Sequence, residues 1–267
     1  MTSDNRGILT EMTIDEVETL DPEVVVLGIA STEPHGPHLP YGTDTYQTET
    51  ICRRAVTAAN EAGASVLLYP TLPIGNNVNF QAFPFACRIG VRTLMDVVLD
   101  VIEAIEAEGV EKIVLVNGHG GNTATLRATL REHAGRHDPG DGAFVCLTSN
   151  SGAIPPGDRD RIEHPSEHAG ELETSRMLAI RPDLVDESAF DEFPILKPRL
   201  EQLRSDRVTF VPRWDAYMPA SAGGETRASS VEKGDAVIDG AADWIAELLV
   251  ELDRIHVDEL FPFPSAD

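Results

Sequence analysis

Lysine is scarce in this sequence, and its scarcity shapes the charge of the protein. Only three of the 267 residues are lysine, namely Lys112, Lys197 and Lys233; Lys and Arg total 21 against 45 Asp and Glu, a formal net charge of −24. Nucleic acids and anionic membranes need a basic patch on their partners, so the composition argues against both as partners. An acidic surface almost free of lysine is typical of proteins that work in high salt, where ions screen self-repulsion. We therefore expect a halophilic protein.

Cysteine and long apolar runs are also scarce. The three cysteines, Cys52, Cys87 and Cys146, are odd in number and lack CxxC spacing, which favours buried free thiols over disulfides or zinc thiolates. No apolar run reaches the length of a membrane span, and the first residues lack the apolar core of a signal peptide. These absences predict a cytoplasmic protein that folds without disulfides.

Short apolar runs alternate with longer helical stretches, which predicts an α/β fold. We interpret the whole chain, residues 1–267, as a single domain. The predicted strands cover residues 24–30, 65–69, 112–116, 143–148 and 207–211. The predicted helices cover residues 44–62, 91–108, 122–135, 167–180 and 236–255.

Two predicted strands are followed at once by loops that carry acids and histidines. The first strand leads to Glu33 and His35, with Asp44 at the start of the next helix, and the third leads to His119. Ligands of open α/β sheets bind beyond the carboxyl ends of the strands, so these side chains are expected to converge there. Carboxylate and imidazole ligands together suit zinc, manganese or iron(II). The sequence therefore predicts a metal site.

A third segment, around residues 167–175, adds two candidate ligands, Glu171 and Glu173. On a helix, Glu173 shares a stripe with Met177 and Ile180. A carboxylate on an apolar stripe needs a partner, because burying an unpaired charge is costly, and a metal ion would supply one. We favour Glu173 as this ligand, with Glu171 on a neighbouring face as the competing candidate.

Each of these features also has a structural alternative. Asp44 is a good helix N-cap, with Gln47 placed as in a capping box. His119 alone could be a hydrogen-bonded loop residue, and the glycines of residues 118–121 could form a turn or a backbone cradle for phosphate. That stretch lacks the P-loop lysine and the GxGxxG spacing. It is the combination of the three segments that favours a metal site.

Residues 32–44, 117–122 and 168–175 together resemble the creatininase family, over about residues 10–187. This family includes creatinine amidohydrolase, an archaeal formamide hydrolase and the peptidase that matures mycofactocin. The resemblance implies a creatininase-like three-layer α/β/α fold with a mostly parallel central sheet. It also implies two divalent metal ions per chain, drawn from zinc, manganese and iron, and a homo-oligomer, commonly a hexamer in this family.

The resemblance further implies a role for each site residue. Glu33 and His119 would hold one metal and His35 the other, with Asp44 bridging them, while His168 would shuttle protons. The site departs from the family at residue 121, where creatininase proper has a glutamate ligand and this chain has glycine. Glu173 or Glu171 would then supply the fifth ligand.

The substrate side departs from creatininase proper as well. The stretch around Asn79 differs from the Glu-His and Phe-Pro-Gly-Thr pattern of many relatives, and the two tryptophans, Trp214 and Trp244, lie outside the loop before the catalytic histidine. These departures argue against creatinine itself. We expect Asn79 and Gly120 to contact the substrate.

The expected activity is hydrolysis of a C–N amide bond by a water that bridges two divalent metals. A formamide or a cyclic amide of a small molecule is the favoured substrate. Three alternatives stay open: a peptidase of the mycofactocin-maturation type, a mononuclear zinc hydrolase, and a non-catalytic metal- or nucleotide-binding protein.

Overall fold

The computed structural model describes residues 7–138, 140–166, 168–205, 207–258 and 261–263. Its central sheet has four parallel strands in the order β2-β1-β3-β4. These strands are β1 (Val24–Ile29), β2 (Val66–Leu72), β3 (Lys112–Asn117) and β4 (Phe144–Ser149). A small antiparallel pair, β5 (Glu192–Phe193) and β6 (Gly224–Glu225), lies outside this sheet. The four main predicted strands are thus confirmed.

Helices cover both faces of the sheet, as a parallel sheet requires. Their bounds are α1 (Ile14–Leu20), α2 (Thr43–Glu61), α3 (Val91–Glu106), α4 (Thr123–Arg136), α5 (Pro156–Arg159), α6 (Glu171–Ile180), α7 (Trp214–Tyr217) and α8 (Val231–Arg254). The predicted three-layer α/β/α architecture with a mostly parallel central sheet is therefore confirmed. Among the described residues, no helix combines the length and the apolar character that a membrane crossing needs.

The apolar residues of β1 alternate between two hydrophobic cores. Val24 and Val26 pack in the core shared with α2 and α8, where Ile51 and Ile245 also lie. Val25 and its neighbours on the other face belong to the core shared with α3 and α4. Every residue of β1 and β3 is buried. This explains why their sequences are mainly apolar and do not alternate between apolar and polar residues.

The predicted strand at residues 207–211 is wrong. The stretch forms no strand in the structure, and its apolar side chains are exposed instead of pairing along a sheet edge, at 43% for Val208, 45% for Phe210 and 71% for Val211. Phe210 and Val211 line a cavity at the carboxyl ends of the main strands. The apolar character of the stretch therefore reflects the wall of a cavity, not a strand.

The predicted start of the helix near residue 167 is also wrong. Glu167 lies outside the described residues, and α6 begins only at Glu171. Ala169 has a left-handed φ of 49°, which a helix does not tolerate, and Gly170 is the N-cap. His168 therefore lies in a loop that leads into the helix.

Two smaller predictions have clear outcomes. Asp44 is not a helix N-cap, because α2 begins at Thr43 after Gly42. All three cysteines are free thiols, as expected, although only Cys52 is buried and the other two are half-buried. Burial raises the pKa of the Cys52 thiol to about 12.

Candidate metal centre

The loop after β1 folds back on itself and carries two of the predicted ligands. The amide of Glu33 donates to the carbonyl of Tyr41 across 3.1 Å, and His35 pairs with Leu39 in an isolated bridge. The chain then enters α2 at Thr43, so Asp44 lies in the first turn of that helix. This turn of the chain brings the side chains of Glu33, His35 and Asp44 close together.

Asp44 lies between two groups of candidate ligands. Its Oδ1 is 3.1 Å from His35 Nε2, and its Oδ2 is 3.2 Å from His119 Nδ1. Glu33 Oε1 completes the first group at 3.2 Å from His119 Nδ1. Glu173 Oε2 completes the second group at 3.7 Å from His35 Nε2. Each group of three offers ligand atoms within 4.8 Å of one another, a spacing that could hold a metal ion.

In each histidine at this site, one ring nitrogen forms a hydrogen bond with a backbone carbonyl. His35 Nδ1 faces the carbonyl of Glu33 at 3.0 Å, and His119 Nε2 faces that of Asn76 at 3.2 Å. His168 Nε2 faces the carbonyl of Pro34 at 2.9 Å. A carbonyl only accepts, so each facing nitrogen carries the hydrogen, and the other nitrogen is directed at the carboxylates. This is the orientation that metal-bound histidines adopt in proteins.

Two carboxylate oxygens of the site are buried and without a hydrogen bond. Glu33 Oε2 has no partner, and Asp44 Oδ2 is close to His119 but in a geometry that makes no hydrogen bond. Both residues are almost completely buried. Unpartnered buried carboxylate oxygens are costly, and a cation is the partner that removes the cost. The donor set therefore fits divalent metal ions with mixed oxygen and nitrogen ligands.

The charges of the site shift its pKa values strongly. Burial alone would lower the pKa of His35, but the ionised Asp44 raises it to about 10. The pKa of His119 is likewise raised well above its ordinary value, against burial, by Glu33 and Asp44. Burial would raise the pKa of the Asp44 carboxyl, but His35 and His119 lower it. In the metal-free protein, protons on the imidazoles thus compensate the carboxylates.

Glu173 and Glu171 have different surroundings. Glu173 reaches His35, and its other contact is with the amide of Ala169 at 2.6 Å. Glu171 is completely buried, and its Oε1 lies 2.6 Å from Lys233 Nζ. Its Oε2 accepts from the amide of His164 at 2.6 Å. Of the two acids, only Glu173 is close to the metal-ligand groups.

Gly121 has no room for the glutamate side chain that the family resemblance would lead one to expect there. A Cβ atom at this position would collide with the carbonyl oxygen of Asn76 and with the His119 ring. The loop after β3 is therefore packed tightly against a neighbouring loop. The packing explains why a ligand from this position would require the chain to move.

A cavity of about 920 Å³ opens beside the two ligand groups. His168, Asn79 and Gly120 line it, as do the rings of Phe80 and Trp214. The ring of His168 lies 4.2 Å from that of His35, and its Nδ1 is 3.6 Å from Glu33 Oε1. Burial and the charge of His35 lower the pKa of His168. This imidazole is therefore neutral at pH 7 and lies between the carboxylates and the cavity.

Residues beyond the predicted ligands complete the site, and among them Trp214 and Phe80 have no signal in the sequence. Trp214 reaches the cavity from α7, with its ring 5.3 Å from that of His168 and its buried Nε1 without a hydrogen-bond partner. Its ring also lies 4.9 Å from that of Phe80. The two asparagines that flank the third-strand loop brace it: Asn117 accepts from the amide of His119, and Asn122 accepts from that of Asn76. Backbone carbonyls and distant aromatic rings complete the site.

The sequence and the fold both resemble known proteins. A mycofactocin precursor peptide peptidase from Mycobacterium ulcerans (strain Agy99) is 30% identical over 183 residues, which cover 67% of this chain and 66% of that protein, slightly less than two thirds of its length. A creatinine amidohydrolase from Pseudomonas putida is 27% identical over 248 residues, 85% of this chain and 89% of that protein.

Solved structures extend the likeness to almost the whole chain. A putative creatinine amidohydrolase from Bacteroides fragilis NCTC 9343 has a TM-score of 0.85 at 23% identity, with 95% of this chain and 98% of that chain covered. A creatininase mutant described as the Zn–Zn type has a TM-score of 0.74 at 24% identity, with 93% and 98% covered. At these identities the likeness establishes the fold.

A family model decides the relationship. The model described as creatininase, creatinine amidohydrolase, matches residues 10–249, most of the 267-residue chain. The match includes every residue of the two ligand groups around Asp44. This protein is a member of the creatininase family.

Proposed function

We propose that the protein is an amidohydrolase that uses two divalent metal ions to cleave a C–N amide bond. One observation carries this proposal: the two oxygens of the Asp44 carboxylate face two different ligand groups, with His35 on one side and His119 on the other. A single carboxylate in this position is suited to bridge a pair of ions. The relatives and the Zn–Zn creatininase support the same chemistry by analogy.

Five side chains would hold the ions. Glu33 and His119 belong to the first metal, His35 and Glu173 to the second, and Asp44 to both. The rings of the two histidines are already oriented by their carbonyl partners. The site therefore needs little rearrangement to accept metal, which favours tight binding.

Two bound divalent ions would supply Lewis-acid polarisation of the amide carbonyl and an acidified water as nucleophile. The protein's own contribution to proton transfer is assigned to His168. Its Nε2–H is held by the Pro34 carbonyl, so only Nδ1 can accept a proton and pass it to the departing nitrogen. Burial lowers the pKa of His168 and so favours the unprotonated Nδ1 that a proton acceptor needs.

His168→Ala separates an enzyme from a pure metal-binding protein. We expect the variant to keep its metal, because the five ligands are untouched, and to lose turnover by about 10²–10⁴-fold, the usual contribution of acid–base catalysis. Elemental analysis and a rate measurement on the same sample give both results. Loss of metal together with activity would instead make His168 a ligand, and unchanged turnover would refute its role.

A peptide end is the second candidate substrate, and the cavity favours it. A volume of about 920 Å³ is large for a formamide, and the walls formed by Phe80, Phe210 and Trp214 suit apolar side chains. The peptidase from Mycobacterium ulcerans supports this candidate by analogy. A screen of metal-loaded protein against formamides, cyclic amides and short peptides distinguishes the substrates, because a formamide hydrolase would leave the peptides uncleaved.

A further inference from the structure

A second group of metal-ligand side chains lies at the opposite end of the sheet from the Asp44 site. It consists of Glu106, the last residue of α3, His133 in the last turn of α4, and His137, which caps that helix. Ala143, directly before β4, joins the group through its amide, which donates to Glu106 Oε1 at 2.7 Å. The group thus lies at the amino end of β4, whereas the Asp44 site lies at the carboxyl ends of the strands.

Both imidazoles of this group converge on one carboxylate oxygen. His133 Nε2 lies 2.9 Å from Glu106 Oε1, and His137 Nε2 lies 3.9 Å from the same atom. The contact between His133 and Glu106 is short enough for a hydrogen bond. The contact between His137 and Glu106 is beyond hydrogen-bond distance. All three ligand atoms lie within 4.8 Å of one another. Around a tetrahedral ion with bonds of about 2.0–2.1 Å, ligand atoms are spaced about 3.3 Å apart, between the two distances observed here.

The surroundings hold the two rings in place and favour a cation. The rings of His133 and His137 lie 4.8 Å apart. Gly142 has a left-handed φ of 79°, and a Cβ atom there would meet the His137 ring at 2.7 Å, so this ring rests directly on backbone. The carbonyl end of α4 carries partial negative charge, which favours a cation. Arg136 in the same turn is engaged by Glu103 at 2.5 Å.

The group of three side chains is open to solvent on the side of His137. His133 is 6% exposed and Glu106 15%, whereas His137 is 29% exposed. Three protein ligands leave one position of a tetrahedral zinc ion free for a water molecule. Burial would raise the pKa of the Glu106 carboxyl, but the Ala143 amide and His133 lower it, so the carboxylate is ionised.

We propose that Glu106, His133 and His137 form a further binding site for a divalent transition-metal ion such as zinc, separate from the Asp44 site. The ion would link the carboxyl ends of α3 and α4. Because the group lines no wall of the cavity beside His168, its role is to stabilise this corner of the fold rather than to act on substrate.

Metal content of the whole protein tests the site. Wild-type protein and the variants His137→Ala and Glu106→Gln are stripped with chelator, reloaded with zinc, dialysed and analysed for zinc per chain. We expect each variant to hold about one zinc fewer than wild type, with unchanged hydrolytic activity. Glu106→Gln keeps a carbonyl oxygen for the Ala143 amide, so the fold retains that contact. His256→Ala, which removes an exposed histidine outside the group, is the matched control and should lose no zinc.

A second measurement makes the result independent of the Asp44 site. In the double variant Asp44→Asn/His119→Ala, zinc should still raise the melting temperature, and adding His137→Ala should abolish that rise. Equal zinc content in wild type and both single variants would overturn the proposal. So would a zinc-induced rise in melting temperature that persists in the triple variant Asp44→Asn/His119→Ala/His137→Ala.

Discussion

His35 and Asp44 face each other across 3.1 Å in the interior of the protein, and neither has appreciable contact with solvent. The imidazole comes from the loop after β1 and the carboxylate from the first turn of α2. Their mutual attraction outweighs the effect of burial on the pKa of His35. In the metal-free protein this pair is an ion pair, and metal must displace the proton between them.

Metal binding should therefore release protons. The pKa of His35 is raised to about 10, so this imidazole is protonated at pH 8 without metal, and the carboxylates also raise the pKa of His119 well above its ordinary value. We expect His35 to release about one proton per chain on metal uptake and His119 to add to that release, because ligand nitrogens must be unprotonated. Metal affinity should consequently increase with pH up to about 10. Calorimetry in buffers of different ionisation enthalpy measures the release; a value near zero would mean that the imidazoles are not ligands.

Glu173→Gln and Glu171→Gln should have different effects. Glu173→Gln removes a charged ligand near His35, and we expect metal affinity to decrease by more than the roughly 10–100-fold that the loss of an outer partner causes. Glu171→Gln breaks the contact with Lys233 and should lower the free energy of unfolding by about 2 kcal/mol while both metals stay bound. Metal analysis and urea unfolding of both variants check this. Metal loss from the Glu171 variant would reverse the assignment.

Trp214→Phe tests whether the unpartnered indole serves the substrate. Nε1 of Trp214 is buried at the cavity without a hydrogen-bond partner. If the substrate supplies that partner, the variant should raise KM about 5-fold, the effect of one hydrogen bond, with kcat nearly unchanged. Trp244→Phe, at a 43% exposed residue of α8, is the matched control and should alter neither constant. An unchanged KM in the Trp214 variant would assign that indole to packing alone.

Salt should stabilise the fold. Two of the three lysines are used internally, since Lys112 is 3% exposed and pairs with Glu23, while Lys233 pairs with Glu171 and Glu163. The net charge of −24 already counts every lysine and arginine, so the excess acidic groups repel one another. Raising KCl from 0.1 to about 1 M shortens the Debye length from about 10 to about 3 Å, and the urea midpoint should increase. A midpoint independent of KCl would contradict the halophilic interpretation.

Much of the fold and part of the site could be predicted from local patterns. The strands at β1 and β3 are apolar runs bounded by glycine and polar residues, and parallel strands bring their carboxyl ends to one rim. Glu33, His35 and His119 directly follow these strands, so their convergence depends only on the sheet order. The order itself, β2-β1-β3-β4, pairs β1 with β3 although β2 lies between them in the chain, and local patterns do not show this crossover.

The remainder of the site depends on long-range packing that leaves no periodic signal. Helical periodicity favours Glu173 over Glu171 but does not show the surroundings of either acid. The left-handed Ala169 delays the helix start, and the partner of Glu171 is Lys233, far along the chain. Trp214 approaches His168 from α7, which follows a segment, residues 207–211, that resembles a strand in sequence but forms none. Carbonyl groups that orient histidines, such as that of Asn76, belong to the backbone and have no residue preference.

Metal stoichiometry tests the central assignment of Asp44 most directly. Purified wild-type protein, Asp44→Asn and the control Asp15→Asn, an acid outside the site on α1, are reloaded with zinc and analysed for metal and activity. Because one carboxylate would bridge both ions, we expect Asp44→Asn to lose about two ions per chain together with its activity, and the control to match wild type. An Asp44→Asn variant that keeps the wild-type metal content and turnover would contradict the account.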